Sequence, residues 1–334
     1  MDAEITYCDD SEPGITRRKL RHGWGYWDVA GKRITDRDEI DRLNAIGLPP
    51  AYRDAWFSPD PNGHIQAVGW DERGRKQYRY HLEFRAAQEC AKYDLCAPFG
   101  HALPRLRARV EADLARRGLG KDIAVAAIVR LLDLGHVRIG NEGYVKANKS
   151  YGATTLRRRH AVLKGKTIKL QYKAKSGKVR LLTITDSSLS RFVKKCQDLP
   201  GQHLFRWVDD DGATHPVTSS DVNAYIREAM GGPYTAKHFR TWGASVIAFE
   251  TLVGAPHDIG LKTMLEPVAD ALGNTPAISR KSYVHPLLIA AVKHGQAGVR
   301  AMRLPRATRY LTRTERGLIA FLEQGGTPEI AEAA

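Results

Sequence analysis

The 334-residue chain changes its hydrophobic periodicity once, close to residue 90, and that change constrains its architecture more than any other feature. From Gly23 to about His81 it reads as short strands and turns. Gly23-Trp24-Gly25-Tyr26-Trp27-Asp28-Val29 runs into a Gly31-Lys32 turn, Ala67-Val68-Gly69-Trp70 into Asp71-Glu72-Arg73-Gly74, and Gln77-Tyr78-Arg79-Tyr80 closes the set. One helical stretch, residues 36–46, interrupts it. Beyond His81 apolar residues recur at helical spacing, first over 106–117 and then from an Asp122 cap through Ile128, Leu131 and Leu132 to a Gly135 stop. Ile168, Leu170 and Tyr172 alternate with Lys169, Gln171 and Lys173, the chain turns at Lys175-Ser176-Gly177-Lys178, and it returns through Val179, Leu181 and Thr183. This pattern predicts a hairpin. Further helices are expected over 220–230 and 235–252, then comes a segment containing Pro267, a helix opened by Thr275-Pro276, and a last one over 312–324. The expected fold class is α+β: a small sheet-rich N-terminal domain over residues 1–89 and a larger, mainly helical domain over 90–334.

Charge narrows the partners. Lys and Arg number 52 against 37 Asp and Glu, a formal charge of +15 on a chain whose 43% apolar content is ordinary for a globular protein. A polyanionic partner would explain the excess, although a positive surface can also serve solubility alone. No segment approaches the ~18 to 20 apolar residues needed to cross a bilayer. Asp2, Glu4, Asp9, Asp10 and Glu12 stand where a signal peptide would have its basic and apolar regions, so a soluble cytoplasmic protein is expected. Cys8, Cys90, Cys96 and Cys196 form no Cys-x-x-Cys pair and have no histidine at zinc spacing, which predicts reduced thiols and no metal.

Gly273-Asn274-Thr275-Pro276-Ala277-Ile278-Ser279-Arg280-Lys281-Ser282-Tyr283 delivers a tyrosine two helical turns past a Thr-Pro helix start, after two basic residues. A tyrosine held there could attack a phosphodiester. Such an attack builds negative charge on the non-bridging oxygens, which fixed donors must meet, and arginine suits this because its fork stays charged and binds two oxygens at once. Arg138 follows the Gly135 stop in His136-Val137-Arg138-Ile139-Gly140-Asn141-Glu142. Arg240 lies at i,i+3 from Lys237 near a helix start, a face suited to phosphate. Lys175, at the hairpin tip, could protonate a leaving oxygen. Each residue alone is ordinarily a solvated charge, a turn lysine or a packing tyrosine, and it is their co-occurrence in this order that points to chemistry.

Arg138 in Arg-x-Gly-Asn-Glu, Lys175 in a Lys-Ser-Gly hairpin, Arg240 in Lys-x-x-Arg and Tyr283 in Ser-Arg-Lys-x-Tyr together resemble the type IB DNA topoisomerases of the compact bacterial and poxvirus group. The resemblance covers nearly the whole chain, including Lys146 to His160. It implies a sheet-rich domain and a helical catalytic domain that clamp duplex DNA, with Tyr283 forming a 3'-phosphotyrosine, Arg138 and Arg240 stabilising the transition state and Lys175 protonating the 5'-oxygen. It implies no metal, no ATP and action as a monomer on the nucleoid. Gly74-Arg75-Lys76-Gln77-Tyr78-Arg79-Tyr80 resembles the strand that lies in the major groove, so Arg75, Lys76, Gln77, Tyr78 and Tyr80 are expected DNA contacts, together with Gly140, Tyr144 and Lys237. Asn274 stands where many members have histidine. It can donate a neutral hydrogen bond but cannot carry charge, so it is expected to act as a transition-state donor only. Tyrosine recombinases share the chemistry, but they usually carry histidine where Lys237 stands and have a helical N-terminal domain. A non-catalytic DNA clamp would not require the four residue types in order.

Overall fold

A computed structural model describes residues 4–72 and 74–325, with the side chains of residues 89–91 excepted; Arg73 and the Cys90 side chain, both named above, lie outside the described residues. The chain divides into two compact units, Met1–Lys92 and Tyr93–Ala334. Its composition of helices and strands is α+β, as expected.

The first unit is built on five antiparallel strands, β1 (Ile15–Lys19), β2 (Trp24–Trp27), β3 (Arg53–Phe57), β4 (Ile65–Trp70) and β5 (Lys76–Tyr80), in the order β2-β1-β3-β4-β5. One helix, α1 (Arg37–Ala45), packs on it, and α2 (Leu82–Asp94) follows. The Asp36 side chain accepts from the Asp38 N–H and so starts α1. Ile15, Tyr26, Leu43, Leu48, Phe57 and Ala67 form the core, and the Tyr26 hydroxyl donates to Asn44 Oδ1 at 2.9 Å. Strands β1 and β3 were not anticipated. Ile-Thr-Arg-Arg-Lys has almost no apolar alternation, and β3 is irregular between Arg53 and Trp56, with Asp54 at a φ of 48°. On β5 the Tyr78 and Tyr80 rings stack at 5.9 Å, which puts them on one face as the alternation requires.

The second unit surrounds α4 (Lys121–Gly135), whose residues from Ile123 to Val129 are all buried. Helix α3 (Cys96–Ala115) packs along it and begins ten residues before the stretch expected from periodicity, because its first turns are buried through Cys96, Phe99 and Gly100 rather than along a single stripe. The ends of α4 differ from the expectation. Gly120 is the N-cap, with Asp122 inside the first turn, and the left-handed cap is His136 (φ 48°), whose N–H donates to the Leu132 carbonyl, rather than Gly135. Next come α5 (Glu142–Asn148) and the antiparallel sheet β6 (Ala161–Lys164), β7 (Thr167–Lys173) and β8 (Val179–Thr185), which buries Ile168, Leu170, Tyr172 and Ile184 on its inner face. The β7–β8 pair is the expected hairpin. After α6 (Ser187–Gln197), a small hairpin of β9 (Arg206–Val208) and β10 (Thr214–Pro216) leads to α7 (Ser219–Met230) and α8 (Ala236–Val253). The chain continues through α9 (Leu261–Leu272), α10 (Pro276–Ser282), α11 (Pro286–His294), α12 (Gln296–Ala301) and α13 (Arg313–Glu323).

A buried ion network ties α13 to the rest of its unit. Arg107 of α3 donates to both Asp133 oxygens at 2.9 Å, and to Glu315 Oε1 at 2.7 Å and Oε2 at 3.0 Å, while the Trp242 indole donates to Glu315 Oε1 at 3.3 Å. Glu315 also accepts from the Thr312 N–H at 2.8 Å, closing a reciprocal cap at the start of α13. Burying one guanidinium between two carboxylates is tolerable only because each charge has a partner.

Candidate active site

Four of the five expected catalytic residues meet where the ends of α4, α8, α9 and α10 converge. Tyr283 is the residue at which α10 stops, its N–H donating to the Ser279 carbonyl at 3.1 Å. Thr275 caps the start of that helix and Pro276 occupies its first position, so the two-turn spacing sets where the phenol emerges. The Arg240 guanidinium lies over the Tyr283 ring, 4.6 Å from its centroid. Arg240 is only 4% exposed, and backbone holds its fork in place: one nitrogen donates to the His136 carbonyl, the other to that of Leu272 at 3.2 Å. Its Nε is buried with no hydrogen-bond partner.

Arg138 donates through Nη2 to Asn274 Oδ1 at 2.8 Å. Asn274 Nδ2 is buried and has no acceptor, so the amide is oriented with its acceptor on arginine and its donor free. The assignment of O and N here follows from the arginine, which can only donate.

The segment that carries Arg138, between α4 and α5, is fixed by a close backbone contact. Gly140, at a φ of 91°, lies against Gly152, where a Cβ would collide with the Arg138 carbonyl and with Gly140. The Ala153 and Thr154 N–H groups donate to the Arg138 and Ile139 carbonyls, both at 2.8 Å. Gly140 thus has a packing role that its position in the motif did not show.

Burial by itself raises the Tyr283 phenol pKa, and the charges and hydrogen bonds of Arg240 and Arg138 outweigh it, so the pKa lies below the ordinary tyrosine value. Burial, above all, pushes the His136 pKa below the ordinary histidine value. The arrangement can therefore present an oxygen nucleophile with a raised phenolate fraction beside two guanidinium groups and one neutral donor, the set that attack on a phosphodiester requires.

Lys175 stands apart. It lies at the exposed tip between β7 and β8, where Ser176 and Gly177 have φ values of 65° and 74°, and it makes no hydrogen bond or ion pair among the described residues. Lys237 is exposed on the first turn of α8, in contrast to buried Arg240, and Tyr144 on α5 is 61% exposed. In the first unit Arg75, Lys76 and Gln77 are engaged by acids. Asp71 Oδ2 accepts from Arg75 Nε at 2.7 Å and from Gln77 Nε2 at 3.0 Å, and Lys76 pairs with Asp10.

Sequence reasoning missed three contributors: His136, Gly152 and Arg180. Arg180 of β8 donates to the Asp270 carbonyl at 2.7 Å and to that of Ala271. A signal for His136 exists in Gly243, a glycine inside a helix, where a Cβ would collide with the His136 ring. Among the described residues no group of three or more His, Cys, Asp or Glu is placed to hold a metal ion, and no helix is long and apolar enough to cross a membrane.

The family model of the eukaryotic DNA topoisomerase I catalytic core matches residues 81–280, and that of the bacterial DNA topoisomerase IB N-terminal domain matches residues 23–71. The DNA topoisomerase 1B of Acanthamoeba polyphaga mimivirus is 32% identical over 81% of this chain and 85% of its own. The DNA topoisomerase I of monkeypox virus is 21% identical over 68% of this chain and 72% of its own. Among solved structures, the XerH site-specific recombinase bound to palindromic difH substrate covers 55% of this chain and 47% of its own, with a TM-score of 0.37 and 16% identity, too slight a likeness to carry any argument. With both family models matching in sequence order and the tyrosine, arginines and asparagine gathered at the helix ends, the chain belongs to the type IB DNA topoisomerases.

Proposed function

We propose that the chain relaxes supercoiled duplex DNA as a monomer on the nucleoid, through Tyr283 and with neither ATP nor metal. Tyr283 attacks the scissile phosphorus as the phenolate that Arg240 and Arg138 favour, the bond to the 5'-oxygen breaks, and Lys175 gives that oxygen its proton, leaving a 3'-phosphotyrosine and a free 5'-hydroxyl. Arg138, Arg240 and the free N–H of Asn274 stabilise charge on the non-bridging oxygens. The strand rotates, and the 5'-hydroxyl reverses the step by displacing Tyr283, with its proton returning to Lys175. Because the phosphotyrosine conserves the phosphodiester bond energy, no nucleotide is required. Arg75, Lys76, Gln77, Tyr78, Tyr80, Gly140, Tyr144 and Lys237 contact the DNA, mainly at phosphates, so affinity falls steeply with salt.

The observation that carries this reading is the Arg240 guanidinium 4.6 Å above the Tyr283 ring, with Arg138 as the second cation lowering the phenol's pKa. A structural tyrosine has no use for two guanidinium groups that favour its ionised form. Lys237 and the sheet of the first unit support a topoisomerase over a site-specific recombinase.

The test is incubation with negatively supercoiled plasmid in EDTA without ATP, beside Tyr283→Phe. Relaxation to a ladder of topoisomers by the unaltered protein alone is expected. Inactivity of both, with DNA binding intact, would point instead to a recombinase or a clamp.

A further inference from the structure

The last three carbonyls of α9 all accept from arginine. Arg240 holds that of Leu272, and Arg180 holds those of Asp270 and Ala271. The negative end of a helix favours cations, and a planar fork gives each of two adjacent carbonyls its own nitrogen in a fixed geometry, which an ammonium does not. Arg180 also lies against Gly273, the left-handed residue that ends α9, where a Cβ would come within 3.1 Å of the arginine's Cδ. Asn274 is the next residue, and its own N–H donates back to the Ala269 carbonyl at 2.9 Å.

Arg180 sits on β8 opposite Tyr172 of β7, just inside the last pair of the hairpin, Lys173 with Val179. On β7 the approach to the tip is secured by buried Tyr172 and by the Tyr151 N–H donating to the Lys173 carbonyl at 2.8 Å. On β8, which is laddered to β7 up to the pair Lys173 with Val179, the flanking Val179 and Leu181 side chains are exposed, so Arg180 is the side chain that ties the end of that strand to α9. Beyond it lies the short turn that carries Lys175.

We propose that Arg180 is a positioning residue that fastens the Lys175 hairpin to the end of α9, so that delivery of a proton to the leaving 5'-oxygen depends on it. The inference rests on the role proposed above for Lys175. In the cleavage step the Tyr283 oxygen bonds to phosphorus, the phosphorus–O5' bond breaks, and the ammonium proton of Lys175 passes to O5'. If sulfur replaces that bridging oxygen, the leaving group departs as a thiolate, whose conjugate acid has a pKa of only about 8.5, and no proton is needed.

The experiment compares single-turnover cleavage of a duplex with a bridging 5'-oxygen and one with a bridging 5'-sulfur at a site mapped with the unaltered enzyme, using the full chain, Lys175→Ala, Arg180→Ala and Arg180→Lys. On oxygen, Lys175→Ala and Arg180→Ala are each expected to lose about 10²-fold or more, the usual worth of a general acid, and on sulfur both recover to within about tenfold of the unaltered enzyme. Arg180→Lys, which keeps the charge but offers a single nitrogen in place of the fork, falls between on oxygen and matches the unaltered enzyme on sulfur; it gives the reading if Arg180→Ala does not fold. Recovery by Lys175→Ala with no recovery by the Arg180 variants overturns the inference and leaves the role of Lys175 standing. Failure of Lys175→Ala itself to recover removes that role, and the inference with it.

Discussion

Asn274 offers the sharpest separation of the ideas above, because its two amide atoms have different partners. Oδ1 accepts from Arg138 at 2.8 Å, and Nδ2 is buried with nothing to bond, so one atom orients a cation and the other is the donor proposed for phosphate. Asn274→Ala removes both. Loss of one preorganised donor to a developing oxyanion costs about 10²–10³ in rate, and loss of a hydrogen bond to a charged group a further ~1.5–3 kcal/mol of positioning for Arg138. Asn274→Asp keeps an acceptor for Arg138, which should preserve or raise the melting temperature. It removes the donor and sets a negative charge against the phosphate, so its cleavage rate should fall at least as far as that of the alanine variant. Asn274→His can still donate and is expected to keep substantial activity. The assay is single-turnover formation of the covalent protein–DNA adduct, with melting curves for each variant. An alanine variant within about twofold of the unaltered rate, far short of the worth of an oxyanion donor, would refute the donor role. A folded but inactive histidine variant would refute the view that a donor is all this position supplies.

Tyr283 has its pKa lowered from the ordinary 10.0, with Arg138 among the causes, so the cleavage rate should rise with pH and level off below that value. In Arg138→Gln the inflection should move upward, and an unmoved inflection in a pH–rate profile would count against the electrostatic account. Gly243→Ala drives a Cβ into the His136 ring. Overpacking of this kind costs about 1–3 kcal/mol, and because the His136 carbonyl holds Arg240, adduct formation should slow along with the loss of stability; unchanged kinetics would dissociate the two. Burial raises the Glu315 pKa, but Arg107 and the other donors outweigh it, so it sits below the ordinary 4.5. Its contribution to stability is therefore present above that value and is lost as pH falls through the folded-state pKa. Glu315→Gln should cost about 3–5 kcal/mol in chemical denaturation at neutral pH, and it should remove this part of the acid sensitivity.

Much of this was legible in the sequence because it depends on local rules. The Thr275-Pro276 start, the Lys175 turn and the alternation on β5 each show their chemistry within a few residues. What escaped depends on long-range packing. Strand β1 is specified by its neighbours in the sheet rather than by its own polar residues. The cap of α4 fell on His136, while Gly135 stays in the helix where a Cβ would meet Leu182 at 2.8 Å, a contact no local pattern predicts. Arg180 looks like one more charge in a basic hairpin, and only the tertiary fold shows that its partners are carbonyls 90 and 91 residues away.

The Arg107 network also bears on when the protein can act. Glu315 is synthesised 208 residues after the arginine it neutralises, and well after Tyr283. Until it has left the ribosome, Arg107 has only Asp133 as a charged partner, and the Trp242 indole of α8 lacks its acceptor. Asp133 closes the last turn of α4, which ends at His136, and α8 carries Arg240, so both helices supporting the tyrosine's cations are unfinished at that stage. A chain that stops short of α13 is therefore expected to hold Tyr283, Arg138 and Arg240 without the finished framework around them.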